Sequence, residues 1–168
     1  MSEAAKALHS FDDQERLNWF YTPVARKGLA LKEMTSTQRA LAFALLSAGL
    51  SQHGYIKALT IISLEEILHV LEGGEGPVRD PDLYFFTIFG EPAEAGTWGW
   101  RMEGHHVSQN FTIVNGRVVC APSFFGANPA VVREGVRSGL RTLPQEEDLA
   151  RALIQSSVGR RSKASRAV

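Results

Sequence analysis

The sequence predicts an α+β fold with N-terminal helices, a central antiparallel β-meander and C-terminal helices packed on the sheet. Three observations lead to this prediction. Apolar residues recur at helical spacing in the first 72 residues, aromatic and β-branched residues dominate residues 83–121, and helix-start signals return after residue 128. Helices and strands that are segregated along the chain are typical of α+β architectures with an antiparallel sheet.

The N-terminal helices are predicted from caps and periodicity. Residues 2–21 have an interrupted helical pattern. Residues 35–38 (Thr-Ser-Thr-Gln) resemble a capping box, and the wide apolar stripe that follows indicates a buried helix. A second helix is expected after Gly54 and should end at Gly73-Gly74, since glycine commonly terminates helices. One face of this helix carries Ile61, Leu64, Leu68 and Leu71.

The meander is predicted from strand composition and one turn signal. Leu83–Phe89 is aromatic and β-branched, which favours a strand. Thr97–Val114 is expected to form one long or bent strand with Gly104 in its middle. Asn115-Gly116 predicts a type I′ hairpin turn, because both central positions of that turn need positive φ. Arg117–Ala121 should then be the returning strand.

Helix and linker signals organise the C-terminal part. Asn128-Pro129 resembles an N-cap followed by proline at the first helical position, so a short helix is expected to about residue 137. Pro144 and the acidic residues after it should open a last helix. Residues 157–168 are rich in Ser, Arg and Ala, and we interpret them as a disordered basic tail. Residues 1–156 are expected to form a single domain.

Composition excludes several classes of protein. Lys plus Arg and Asp plus Glu both number 18 among 168 residues, which argues against a nucleic-acid binder that works by bulk charge. The single cysteine, Cys120, excludes a disulfide framework and a multi-cysteine zinc module. The longest apolar run, Ala40–Leu46, is too short to cross a bilayer. No apolar leader is visible, so we expect a cytoplasmic protein without a membrane or nucleic-acid partner.

Residues 98–110 gather the side chains best suited to chemistry. In a flat strand, adjacent histidines point to opposite faces, so His105 and His106 cannot both bind one metal ion unless a bulge at Gly104 turns the rings together. With such a bulge, both histidines would be ligands of a divalent ion, zinc or iron. Without it, Glu103 and His105 share a face and form either a ligand pair or an acid/base pair, with Arg101 as an anion clamp.

Further side chains are candidate substrate contacts, each with a structural alternative. Arg79 precedes the first strand of the meander and either reaches a ligand or belongs to an Asp-Pro turn. Trp98 and Trp100 share a strand face, where they either stack on a ligand or form core. Asn110 is expected on the same face as the tryptophans. We interpret Glu65 and its neighbours as a solvated helix face.

Several stretches run in the order found in the uncharacterised family called domain of unknown function 3500. The chain resembles this family over about residues 10–156. The most specific blocks are Trp98-Gly99-Trp100-Arg101, Glu103-Gly104-His105-His106 and Pro122-Ser123-Phe124-Phe125-Gly126-Ala127. The resemblance implies membership of this family, but it does not indicate a reaction.

The resemblance also implies that the chain is the N-terminal portion of a longer architecture. Members of the family are about twice as long and carry a later His-x-His stretch that this chain lacks. Three functions therefore stay open. The chain is a metal-assisted enzyme acting on a small anionic or carbonyl substrate, a non-catalytic ligand-binding or structural module, or an inactive truncated fragment that self-associates through its exposed surface.

Overall fold

The computed structural model describes residues 3–164. It contains, within that range, four α-helices and six strands: α1 (Glu3–Ala7), β1 (Leu8–His9), β2 (Leu29–Ala30), α2 (Ser36–Gly49), α3 (Gln52–Leu71), β3 (Phe85–Phe89), β4 (Thr97–Gly104), β5 (Val107–Val114), β6 (Arg117–Phe125) and α4 (Pro144–Ala164). The α+β class is confirmed. Two compact units comprise residues 1–129 and 130–168.

The first unit is built on a mixed six-stranded sheet. Its strand order is β1-β3-β4-β5-β6, and β2 also pairs with β3. β1 runs parallel to β3, and the other neighbours are antiparallel. The meander of β3 to β6 is therefore present, and the Asn115-Gly116 turn adopts the expected positive φ at both residues (48° and 77°).

Helices α2 and α3 each begin directly after a residue whose side chain caps the helix. Thr35 and Gln38 form the reciprocal hydrogen bonds of a capping box at the start of α2. Ser51 caps α3 by accepting a hydrogen bond from the Gly54 backbone N–H. The core that these helices form with the sheet includes Leu31, Ala42, Leu46, Ala58, Ile61, Ile62, Tyr84, Phe86, Trp100, Met102, Val107, Phe111 and Ile113.

The prediction of one long or bent strand over Thr97–Val114 is wrong. The segment is a tight hairpin in which Gly104 pairs with Val107, so His105 and His106 alone form the loop. His106 has a φ of 60°, a left-handed conformation that non-glycine residues adopt rarely. The chain reverses here without a bulge at Gly104; the register shift lies between Gln109 and Phe111.

The reversal also changes which residues share a face. Asn110 lies directly opposite Arg101, and Ser108 lies opposite Glu103. Opposed residues in an antiparallel pair project from the same face, so Asn110 lies on the Arg101 face and not, as predicted, on the tryptophan face. Trp100 lies opposite Phe111 on the face that packs against the helices.

The second unit differs from the prediction in two places. Residues 129–137 do not form the expected short helix; Gly135 and Gly139 both adopt positive φ, which helices do not accommodate. The last helix opens at Pro144 as expected and continues to Ala164. It thus includes residues 157–164 of the predicted disordered tail, and residues 165–168 lie outside the described residues.

Candidate active site

The hairpin loop brings His105 against a carboxylate of α3. The His105 Nδ1 atom lies 2.5 Å from Glu65 Oε1. Both residues are buried, with 8% and 3% of their surfaces exposed. A carboxylate accepts hydrogen bonds, so we assign the ring proton to Nδ1, which donates a hydrogen bond to Glu65. Among the described residues, the other side chain within hydrogen-bond distance of the ring is Arg79, and it also lies against Nδ1. Nε2 is therefore the ring nitrogen with the free lone pair.

The backbone of His105 is fixed by a buried tyrosine. The Tyr84 hydroxyl donates a 2.8 Å hydrogen bond to the His105 carbonyl oxygen. Tyr84 is fully buried, and burial raises the pKa of its hydroxyl well above the usual value, so the group remains a donor. Its ring packs against Gly104, where an added Cβ would lie 2.2 Å from a ring carbon. Glycine at this position therefore allows the Tyr84 ring to lie directly against the strand backbone.

Arg79 places a positive charge beside the same histidine. Its guanidinium donates two 2.8 Å hydrogen bonds to the Glu72 carboxylate, which lower the pKa of Glu72. Arg79 Nη1 lies 3.3 Å from His105 Nδ1. Because Glu65 already accepts the hydrogen bond from Nδ1, Arg79 acts on the ring only as a neighbouring charge. Asp80 forms the turn that the sequence suggested, by accepting a hydrogen bond from the Asp82 backbone N–H.

The two imidazoles of the loop stack on each other. The ring centroids of His105 and His106 lie 3.9 Å apart with an interplanar angle of 30°, and Tyr21 stacks on the other side of His106. Imidazole lone pairs lie in the ring plane, so stacked rings direct them along nearly parallel planes. This arrangement does not suit chelation of one ion by both rings. No group of three His, Cys, Asp or Glu side chains among the described residues has the geometry of a metal site.

His106 should make stability depend on pH. Burial, then repulsion from His105 when that ring is protonated and from Arg79, lowers the pKa of His106 from 6.5 to about 4. The unfolded chain therefore binds this proton before the folded chain does, and the folded state loses stability as the pH falls from about 6.5 towards 4. The expected loss is on the order of 2 kcal/mol, after allowance for the partial exposure of the ring.

The matched variant for this prediction is His106→Asn, because Asn tolerates positive φ and does not titrate. Urea unfolding at pH 7.5 and pH 4.5 should show that the variant loses less stability than the parent chain on acidification. Equal losses in both chains would contradict the assignment to His106.

His105 and Glu65 line a cavity of about 300 Å³. The loop at residues 23–26 lines this cavity, and so do Pro77 and Val78. Tyr84 lies among the lining residues, and so does Arg26, whose side chain is 4% exposed. Arg26 donates hydrogen bonds to the carbonyl oxygens of Phe20, Thr22, Val24 and Gly104. It thereby joins the cavity wall to the strand that leads into the histidine loop.

Two of the predicted catalytic residues, Glu103 as the partner of His105 and Arg101 as the anion clamp, lie elsewhere, in a buried ion-pair network on the other face of the sheet. Arg101 is fully buried, donates a hydrogen bond to Glu15 Oε1 (2.7 Å) and forms an ion pair with Glu103 Oε1 (2.9 Å). It also donates to the backbone carbonyls of Glu15 and Asn18. Burial raises the pKa of Glu103, and the guanidinium of Arg101 opposes that shift. The network fastens the N-terminal segment to the sheet.

The remaining predicted contacts are distributed over the fold. Trp100 stacks on Phe111 in the core, with ring centroids 4.0 Å apart. Trp98 packs at the edge of that core and donates its indole N–H to the Ala93 carbonyl. Asn110 donates to Ser108 and to the Pro122 carbonyl. Trp100 and Asn110 also line a second cavity of about 110 Å³.

Comparison with known protein families assigns the chain to a family. The family model described as "Protein of unknown function (DUF3500)" matches residues 1–167. The chain belongs to this family. No curated protein and no solved structure is significantly similar to it. Among the described residues of this DUF3500 protein, no helix combines the length and the apolar character that a membrane span requires.

Sequence reasoning missed the partner of His105 in this DUF3500 protein. Glu65 was interpreted as part of a solvated face, yet it is buried within the apolar face of α3. The spacing contained the signal, because Glu65 follows Ile61 by four residues and precedes Leu68 by three. A carboxylate inside an apolar stripe needs a polar partner, and an isolated histidine elsewhere in the chain can supply one.

Proposed function

We propose that this protein is an enzyme that uses His105 as a general base on a small carbonyl compound, with Glu65 holding the ring. The observation that carries the proposal is the 2.5 Å contact between Glu65 Oε1 and His105 Nδ1 beside a cavity. A carboxylate on Nδ1 fixes the tautomer and stabilises the imidazolium that forms when Nε2 takes a proton. The proton comes from water or from a carbon next to the carbonyl.

The other sequence-predicted residues take supporting roles in this proposal. Arg101 and Glu103 are positioning residues, since they hold β4 immediately before the loop and do not line the cavity. Arg79 tunes the charge around His105. The metal prediction for His105 and His106 has less geometric support than the base, because the stacked rings direct their lone pairs along separate planes. A zinc or iron ion has no place in the steps described.

Two assays cover the two proton sources. Release of acid from short-chain acyl esters reports on water activation, and deuterium incorporation into small ketones in D2O, followed by NMR, reports on removal of a carbon-bound proton. We expect turnover in at least one of them. Glu65→Gln should lower kcat/KM by about 10- to 100-fold, since the amide keeps the shape but not the charge.

Glu66→Gln is the matched control, because it changes the adjacent, exposed glutamate of the same helix. It should leave kcat/KM within about twofold, as expected for a surface change. Turnover in neither assay would contradict the enzyme proposal and favour a ligand-binding or structural module. Turnover that Glu65→Gln leaves intact would also contradict it.

A further inference from the structure

The charged and apolar residues that line the cavity indicate which kind of small carbonyl compound it would bind. Arg26 is the only cationic side chain that lines the cavity among the residues described, and its terminal nitrogens already donate to four backbone carbonyls. Glu65 and Asp80 contribute two carboxylates to the same lining. The nearby cations are already paired, Lys32 with Asp80 and Arg79 with another glutamate. A ligand with an anionic head would meet these carboxylates without a free cation to offset them, so the charge pattern disfavours anionic substrates.

The walls are suited to an apolar group. Residues 23–25 (Pro-Val-Ala) face the cavity from one side, and Pro77, Val78, Leu83 and Phe85 complete the lining. Val24 and Val78 remain 44% and 70% exposed, so apolar surface lies open to solvent beside the cavity. A volume of about 300 Å³ equals that of roughly ten liquid water molecules, which is room for a compact organic molecule.

We infer that the substrate is a neutral carbonyl compound with an apolar substituent, whose carbonyl lies at His105 and whose substituent lies between residues 23–25 and 77–78. This inference rests on the proposed function for the role of His105. The binding preference that it predicts is nevertheless independent of turnover, because the walls and the charges act on any ligand of this shape.

The test is a binding series with three probes: hexanamide, hexanoate and acetamide, titrated into the full chain and followed by 1H–15N NMR. Hexanamide should bind about 80-fold more tightly than acetamide, because burial of each of the four added methylenes contributes about a factor of three. Hexanoate should bind at least about tenfold more weakly than hexanamide, since it brings a third carboxylate to the cavity. Shifted backbone resonances should include those of Val24, Ala25, Arg26 and Val78.

A matched pair of variants locates the preference. Val78→Ser should reduce the ratio between hexanamide and acetamide affinities by about threefold without unfolding the chain, because Val78 is exposed. Val136→Ser, a fully exposed position in the other unit, should leave the ratio unchanged. Hexanoate binding as tightly as hexanamide, affinities that do not depend on chain length, or no binding of any probe would each overturn the inference. Selective binding without turnover would instead overturn only the catalytic proposal.

Discussion

Replacing Arg101 with Met should lower the free energy of unfolding by about 3–5 kcal/mol. Arg101 is fully buried between the carboxylates of Glu15 and Glu103, and Met fills a similar volume without a charge. The variant leaves two buried carboxylates close together with only longer contacts to offset them. Arg26 Nε lies 3.9 Å from Glu103 Oε2, and the exposed Lys27 Nζ lies 3.8 Å from Glu15 Oε2. It also removes the donors to the carbonyls of Glu15 and Asn18.

Urea unfolding monitored by tryptophan fluorescence measures this loss. Arg117→Met is the control, because Arg117 is exposed at the start of β6, and it should change the stability by less than about 0.5 kcal/mol. In the Arg101 variant, protease cleavage within residues 13–26 should also become faster, since the segment is no longer fastened to the sheet. A loss of under about 1 kcal/mol would show that the network contributes little.

Replacing His105 with Asn should lower kcat/KM by about 10²- to 10⁴-fold in whichever assay detects turnover. Asn keeps a polar side chain in the loop but has no basic nitrogen, so proton removal loses its acceptor. The fold should persist, because the Tyr84 hydrogen bond is made to the backbone of residue 105. Steady-state kinetics together with circular dichroism separate the loss of the base from a loss of structure.

Two further histidine variants sharpen this result. His53→Asn alters an exposed histidine in the first turn of α3 and should leave kcat/KM within about twofold. His106→Asn removes the stacked ring and should reduce activity by less than about tenfold, much less than the loss of a base. If His106→Asn and His105→Asn instead reduce activity equally and both lower the metal content, the two rings act as metal ligands and the base assignment is wrong.

Local signals predicted the parts of the fold that depend on local chemistry. The capping box at Thr35 and Gln38 and the Asn115-Gly116 turn each specify their geometry within four residues, and both are present. The His105–His106 turn carries no such signal, because neither residue is a turn former and the positive φ of His106 depends on its surroundings. Hydrogen bonds from His106 N–H to Tyr21 and from Gly126 N–H to His106 hold it, and both partners are remote in sequence.

The candidate site, like the fold, was predictable only where the signal was local. The sequence marked His105 as important, since ligand-type side chains concentrate around it. It could not supply the partner, because alternation along one continuous strand pairs His105 with Glu103, whereas the reversal at the loop turns the ring towards α3. Because the turn at residues 105–106 was not predicted, the sequence analysis paired His105 with Glu103. In the structure His105 contacts Glu65, and Glu103 belongs to the ion-pair network on the opposite face.

The tautomer of His105 tests the central claim most directly. Long-range 1H–15N correlation spectra of the chain labelled at its histidines distinguish a protonated ring nitrogen from one with a free lone pair. The account predicts a neutral His105 ring protonated at Nδ1, with a strongly downfield Nδ1 proton that moves upfield in Glu65→Gln and is unchanged in Glu66→Gln. A ring protonated at Nε2 alone, or an Nδ1 proton that does not respond to Glu65→Gln, would contradict it.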